Sequence, residues 1–294
     1  MTPTVGFIGL GLMGKPMALN LRKKGFPVVV RSRSQPPVDV LVAAGATAAA
    51  TPADVARAAR VIVTMLPDGP DVRLVLEGES GLLSTIQPGT VVIDSSTIAP
   101  AIARELAARV RDHGGWFLDA PVSGGEIGAI DGTLAFMVGG DAAALEQVRP
   151  VIAAMGNPDK IVHVGESGAG QVCKACNQIV LGGTMAVVAE AIALARKSGV
   201  DPMKVRAALL GGFAQSRVLD VHGERMITAN FKPGFKTKLF HKDLGIALHT
   251  LAEAGVPAPA SAVVQQLVQA QMAGGGGDDD YSAIATVIFA LASL

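Results

Sequence analysis

The sequence predicts two joined parts, an α/β domain on a doubly wound parallel sheet over residues 1–164 and an all-α domain over residues 165–294. Short β-branched runs alternate with amphipathic stretches through the first half, the rhythm of strands joined by crossover helices. After His163 those runs stop, and the remainder is rich in alanine and leucine at helical spacing. Between the two regimes lies an apolar stretch, roughly Ala169 to Ser198, longer than helices of globular proteins usually are; it is expected to bridge the domains.

The strands are expected at Val5 to Ile8, Val28 to Val30, Val61 to Met65, Val91 to Ile93, Trp116 to Leu118, Phe136 to Val138 and Ile161 to Val164. A first helix, Leu12 to Lys24, is closed by Gly25, since glycine tolerates the conformation just past a helix end. In Thr51-Pro52-Ala53-Asp54 a hydroxyl cap, a proline at the first helical position and an acid in the first turn coincide. Asp201-Pro202 restarts a helix by the same logic. The low-complexity run Gly274 to Asp280 is expected to be a flexible loop before a last helix from Tyr281.

With 294 residues, 50% hydrophobic and 17% charged, the chain can bury two cores as a soluble globular protein. Lys plus Arg balances Asp plus Glu at 25 each, and no basic block appears, so neither nucleic acid nor an anionic membrane is an expected partner. Two cysteines make no disulfide framework, and the chain enters its first strand without a signal peptide's features, so the expected setting is cytoplasmic. Ile179 to Ala195 comes nearest to a membrane span, but it is short and contains Glu190, which suits a buried helix.

The run Gly9-Leu10-Gly11-Leu12-Met13-Gly14 follows a strand, opens a helix and precedes a second strand. In that Rossmann-type context each glycine has its own purpose. Gly9 permits the tight turn, Gly11 lets the backbone approach a pyrophosphate, Gly14 allows close helix-to-strand packing, and the helix start offers unpaired N–H donors. The second strand ends in Val30-Arg31-Ser32-Arg33-Ser34, where an NAD site normally carries an acid; the nearest downstream acid, Asp39, falls in the next helix. Arg31 and Arg33 with Ser32 suit a 2′-phosphate, so NADP is expected to be preferred over NAD; the other reading is a solvated surface turn.

Reduction of a carbonyl by hydride needs a group that protonates the developing alkoxide. Tyr281 is the only tyrosine and has no lysine four positions on, and Cys173 and Cys176 lie three apart in a helix with no histidine nearby, so neither a Tyr-Lys dyad nor a zinc site is expected. The formal C-x-x-C is read as buried helix packing, because a redox dithiol wants a helix N-terminus after a strand. Lys174, in Gly170-Gln171-Val172-Cys173-Lys174-Ala175-Cys176-Asn177-Gln178, remains. Desolvation there would lower its pKa from about 10.4 toward working pH. From the residues alone, catalysis and a snorkelling surface lysine both stay open.

Over essentially its whole length the chain resembles the β-hydroxyacid dehydrogenase family, whose members include 3-hydroxyisobutyrate dehydrogenases and semialdehyde reductases. Phe7 to Ala18 looks like the family's N-terminal signature, and Asp119-Ala120-Pro121-Val122-Ser123-Gly124-Gly125 followed by Gly132-Thr133-Leu134 looks like its substrate loop. The resemblance implies that Lys174 is the catalytic lysine and that Ser123, Gly124 and Gly125 hold a substrate carboxylate. It further implies cofactor contacts at Met65-Leu66-Pro67, Thr97 and Phe235, and a role for Lys242 and Asp243 near nicotinamide and substrate. The family usually has asparagine four residues after the lysine; here Asn177 is three and Gln178 four residues on, and which amide orients the substrate stays open. Gly211 to Ala214, Val218 to Asp220 and Asn230 to Phe235 resemble most the branch that reduces tartronate semialdehyde to glycerate. Reduction of methylmalonate semialdehyde, succinic semialdehyde or glyoxylate, and a non-catalytic NADP-binding module, are the alternatives. A homodimer or homotetramer is the expected assembly.

Overall fold

The computed structural model describes residues 2–294, which form two compact units, one up to Lys174 and one from Ala175; the division falls within the helix Ala169–Lys197. The first unit carries β1 (Val5–Ile8), β2 (Val28–Arg31), β3 (Thr47–Ala48), β4 (Val61–Thr64), β5 (Val91–Asp94), β6 (Trp116–Asp119), β7 (Val122–Ser123), β8 (Leu134–Gly139) and β9 (Gly156–Gly165). They lie in the order β3-β2-β1-β4-β5-β6-β8-β7, with β9 against β8. From β3 to β6 every pairing is parallel, as expected.

The sheet departs from the all-parallel expectation at one end. β8 runs antiparallel to β6 and β7, and β9 follows β8 in parallel. β7 continues the course of β6 past Ala120-Pro121, so Ser123 ends a strand paired with β8, and a short helix, Gly125–Asp131, with Gly124 as its N-cap, joins the two strands. β3 and β7, two residues each, are too short to show a period. β9 starts at Gly156, ahead of the apolar run that signals it, because its first residues are polar and largely exposed.

β1, β4 and β5 are buried at every position, which is why they read as unbroken apolar runs: helices cover both faces. One core layer centres on Phe7, Met17, Leu21 and Phe136, the other on Ile62, Leu76 and Leu106. The first helix is Gly14–Lys23; Leu12 and Met13 belong to the turn before it, and Gly25 follows with φ +87°. Thr51 caps Pro52–Ala58 in a reciprocal capping box with Asp54, an arrangement contributing about 1 kcal/mol.

The second unit packs helices Pro202–Leu210, Arg217–Ile227, Thr237–Glu253, Pro259–Ala273 and Ile284–Leu291 with the later turns of Ala169–Lys197, around Met185, Ile192, Phe240, Leu244 and Phe289. Asp201 caps its helix, as expected, by accepting from Met203 N. The Gly274 to Asp280 run is no free linker. Asp280 is fully buried and accepts from Gly234 N at 2.9 Å, Phe235 N at 3.2 Å and Ser282 Oγ at 2.6 Å, while Asp278 pairs with Lys236 and Lys238 at 2.8 Å each. Gly276–Asp278 forms a 3-10 turn, and a second, Tyr281–Ala283, leads into the last helix, which starts at Ile284 rather than Tyr281.

Ala169–Lys197 is long and apolar enough by length and composition to cross a membrane, its most apolar 18 residues having a mean hydropathy of 1.8, and half of that stretch is buried inside the protein as in a core helix. The two cysteines on it form no disulfide. Cys173 is half-buried and Cys176 exposed, which corrects the expectation that both pack inside; Cys176 lies on an exposed face of the helix.

Candidate active site

Across the parallel strands, Arg31, Ile8, Thr64, Asp94 and Asp119 stand in register, so the residues after them share one carboxyl edge, the edge at which such sheets bind ligands. The glycine turn leaves β1 there. Gly9 has φ +98°, and a Cβ on it would meet Met65 O at 2.2 Å. A Cβ on Gly14 would meet Gly9 O at 1.9 Å, so this glycine lets the helix start press against the strand end. At Gly11 a Cβ would meet nothing within 4 Å. That exposed position is where a pyrophosphate could reach the backbone. Leu10 is buried as an anchor, Leu12 is exposed and Met13 half-buried.

Arg31 ends β2 half-buried, and its Nε is buried with no hydrogen-bond partner among the described residues. An orphaned guanidinium N–H at this edge fits an anionic ligand group. Ser32 is half-buried beside it, whereas Arg33 is exposed and pairs with Asp71 at 3.1 Å. Asp39 does lie in the next helix, Gln35–Ala43, where it accepts from Gln35 Nε2 at 2.7 Å.

After β4, Met65 and Leu66 are half-buried and Pro67 exposed. Met65 N donates to Ile8 O and Leu66 N to Ser96 Oγ, each at 2.9 Å, tying this turn to β1 and to the segment holding Thr97. Beneath lie two buried carboxyls. Asp94 accepts from Thr64 Oγ1 at 2.7 Å and Ser96 Oγ at 2.6 Å, yet burial, aided by neighbouring Asp119, pushes it up to about 6. Burial also raises Asp119, against hydrogen bonds from Gly168 N at 2.7 Å and Gln171 N at 3.0 Å. Asp119 thereby caps the first turn of Ala169–Lys197.

Three residues after Gln171 the same helix presents Lys174, which is 7% exposed and donates from Nζ to Val122 O at 2.9 Å. Ser123, Gly124 and Gly125 follow, with φ +138° at Gly124 and +63° at Gly125. The lysine amine and the proposed carboxylate loop are therefore neighbours within the first unit. Snorkelling to solvent is overturned as a description of Lys174.

In the second unit, Asn177 Nδ2 donates to Gln178 Oε1 at 2.7 Å, Gln178 Nε2 donates to Asp243 Oδ2 at 2.8 Å, and Lys242 pairs with Asp243 Oδ1 at 3.0 Å. Gln178 and Asp243 are buried; Asn177 and Lys242 are half-buried. Phe235 stands apart from this chain, its N–H held by Asp280 and its ring edge-on to Tyr281 at 5.4 Å. Sequence reasoning met Asp94, Asp119, Gln171 and Asp280 only as letters of a motif or ends of a segment, and gave none of them a role of its own. Their signal is spatial: polar residues that become buried only when distant segments meet.

The profile of the NAD-binding domain of 6-phosphogluconate dehydrogenase matches residues 4–165, and that described as NAD-binding of NADP-dependent 3-hydroxyisobutyrate dehydrogenase matches residues 168–288. The chain is 44% identical over 289 residues to 2-hydroxy-3-oxopropionate reductase of Escherichia coli (strain K12), covering 98% of each. It is 39% identical over 287 residues to the NAD-dependent L-serine dehydrogenase of Pseudomonas aeruginosa, covering 95% of this chain and 96% of that protein. Among solved structures, 3-hydroxyisobutyrate dehydrogenase of Mycobacterium tuberculosis with L-serine matches with a TM-score of 0.89 at 36% identity, covering 98% of this chain and 99% of the other.

Proposed function

The chain belongs to the β-hydroxyacid dehydrogenase family of NAD(P)-dependent oxidoreductases, and from that premise we propose that it reduces 2-hydroxy-3-oxopropanoate, tartronate semialdehyde, to glycerate, with NADP preferred over NAD. The observation that carries this reading is the buried Lys174 amine held 2.9 Å from Val122 O, next to Ser123. A cation fixed beside a hydroxyl and two glycine N–H groups suits a substrate with a carboxylate close to its reacting carbonyl.

The nicotinamide nucleotide, when bound, supplies the hydride. The turn Gly9 to Gly14 would hold its pyrophosphate, Arg31 with Ser32 and Arg33 its 2′-phosphate, and Met65 to Pro67, Thr97 and Phe235 would supply further contacts. Lys174 gives the alkoxide oxygen a proton as the aldehyde carbon takes two electrons, leaving the alcohol of glycerate and a neutral amine that solvent reprotonates. Ser123 Oγ and the N–H groups of Gly124 and Gly125 grip the carboxylate. Of the two amides, Asn177 rather than Gln178 faces the substrate, because both ends of the Gln178 amide are engaged within the protein. Lys242, which Asp243 holds at 3.0 Å, is assigned with Asp243 to the nicotinamide and the substrate by the family likeness. Residues 1–164 carry most of the cofactor contacts and the carboxylate grip, and 165–294 carry Lys174, the amides and assembly into a homodimer or homotetramer in the cytoplasm.

The similarity to the Escherichia coli reductase supports tartronate semialdehyde as substrate. The match to a 3-hydroxyisobutyrate dehydrogenase favours methylmalonate semialdehyde as the second reading. A steady-state screen of tartronate, methylmalonate and succinic semialdehydes and glyoxylate, each with NADPH and NADH, tests the assignment. The highest kcat/KM is expected for tartronate semialdehyde with NADPH. Preference for another aldehyde reassigns the substrate, and no oxidation of either coenzyme leaves a binding module.

A further inference from the structure

Gln171 is 1% exposed, one turn ahead of Lys174 on the same helix, and its side-chain amide makes two directed contacts. Oε1 accepts from Ile98 N at 3.2 Å and Nε2 donates to Ser96 O at 2.8 Å. These are the groups on either side of Thr97, so the amide clasps that residue as a neighbouring strand would. Its own N–H goes to Asp119 Oδ2 at 3.0 Å, and Gly168 N goes to the other oxygen at 2.7 Å. The first turn of the helix is thus fixed to the end of β6 by Asp119 and to the segment after β5 by Gln171.

We propose that Gln171 is a positioning residue that sets the separation between the Lys174 amine and the Thr97 segment. It rests on the reading above, in which Lys174 is the acid and Thr97 lies against the cofactor. Hydride donor and proton donor are carried by different segments, and transfer requires both to approach one carbonyl group at near-contact distance. Among the described hydrogen bonds, the Gln171 amide links the lysine's own helix directly to the Thr97 segment. A glutamine placed only for packing would affect stability; one that sets a distance affects turnover in a protein that still folds.

Gln171→Leu removes both contacts at similar volume. Gln171→Glu keeps the acceptor toward Ile98 N but opposes Ser96 O with a carboxylate oxygen until the group takes a proton. The expected result, with the aldehyde chosen by the substrate screen, is that Q171L lowers kcat by about tenfold to a hundredfold while the aldehyde KM moves much less. Q171E is expected to recover toward wild type as pH falls from about 8 to about 5.5. A kcat within about twofold of wild type in folded Q171L overturns the proposal. If Q171L does not fold, an activity ratio of Q171E to wild type that stays flat across that pH range overturns it. A wild type inactive on every aldehyde sinks the underlying catalytic reading instead. The NADPH Kd of Q171E by fluorescence titration then decides: about fivefold weaker binding supports the link to Thr97, and an unchanged Kd ends it.

Discussion

The amine of Lys174 donates to the carbonyl oxygen of Val122, the residue directly before Ser123, and so ties the first turns of the long helix to the loop proposed to hold the carboxylate. Proton donor and carboxylate grip are held at a fixed spacing by one 2.9 Å contact. Lys174→Ala is expected to keep the NADPH Kd of the wild type, since the glycine turn and Arg31 lie in other segments, and to lose turnover by roughly a hundredfold or more. Single-turnover kinetics beside fluorescence titration separate the two quantities. A kcat within a few-fold of wild type would remove lysine from the role of acid.

The glycine turn separates a stability role from a binding role. A methyl at Gly14 would have to displace Gly9 O, 1.9 Å away, so Gly14→Ala is expected to cost about 1–3 kcal/mol or more of stability. Gly11 has open space around it, so Gly11→Ala is expected to melt like the wild type but to bind NADPH about tenfold more weakly, the methyl standing where the pyrophosphate approaches. Thermal melts with and without coenzyme give both answers. Equal loss of stability in the two variants contradicts the division.

Arg31 and Arg33 make unequal contributions in the free protein, one with a buried unpartnered Nε and the other paired to Asp71 in solvent. Arg31→Ala is expected to lower kcat/KM for NADPH by about tenfold or more, with NADH affected little; Arg33→Ala is expected to have the smaller effect. A ratio of the two coenzymes unmoved by the double variant disproves 2′-phosphate recognition at this turn.

Asp94 should leave a signature in stability against pH. Its folded-state pKa of about 6 lies above the unfolded 3.8, so the folded chain holds a proton that the unfolded chain releases between those values. The stability this confers is complete below about pH 3.8 and is lost as pH rises through 6, a change on the order of 3 kcal/mol. The melting temperature of Asp94→Asn minus that of wild type is therefore expected to rise between about pH 4 and pH 6 and then level off. Taking the difference cancels the carboxylates common to both proteins. A flat difference would mean that Asp94 titrates as an exposed carboxylate does.

Much of the fold is legible because its signals are local. β1 is bounded to the residue in the sequence, since Thr4 before it and the Gly9 turn after it mark both ends. The Thr51 cap and the long helix from Ala169 were likewise found, as side-chain chemistry and apolar spacing lie along the chain itself. The reversal at β8 is not legible: strand direction depends on how the chain returns to the sheet after the helix Gly125–Asp131, and a period of two reads the same both ways. The glycine turn and Lys174 stood out through residue type and spacing. Gln171 and Asp280 did not, because their importance comes from carbonyls and N–H groups far away in sequence.

The backbone of the loop after Ser123 limits how this protein can be evolved in the laboratory. At φ +138° Gly124 occupies a region open in practice to glycine alone, while +63° at Gly125 also admits asparagine or aspartate. A saturation library across the three codons would thus return diversity mainly at Ser123. Alteration of substrate range through this loop has one free letter to work with.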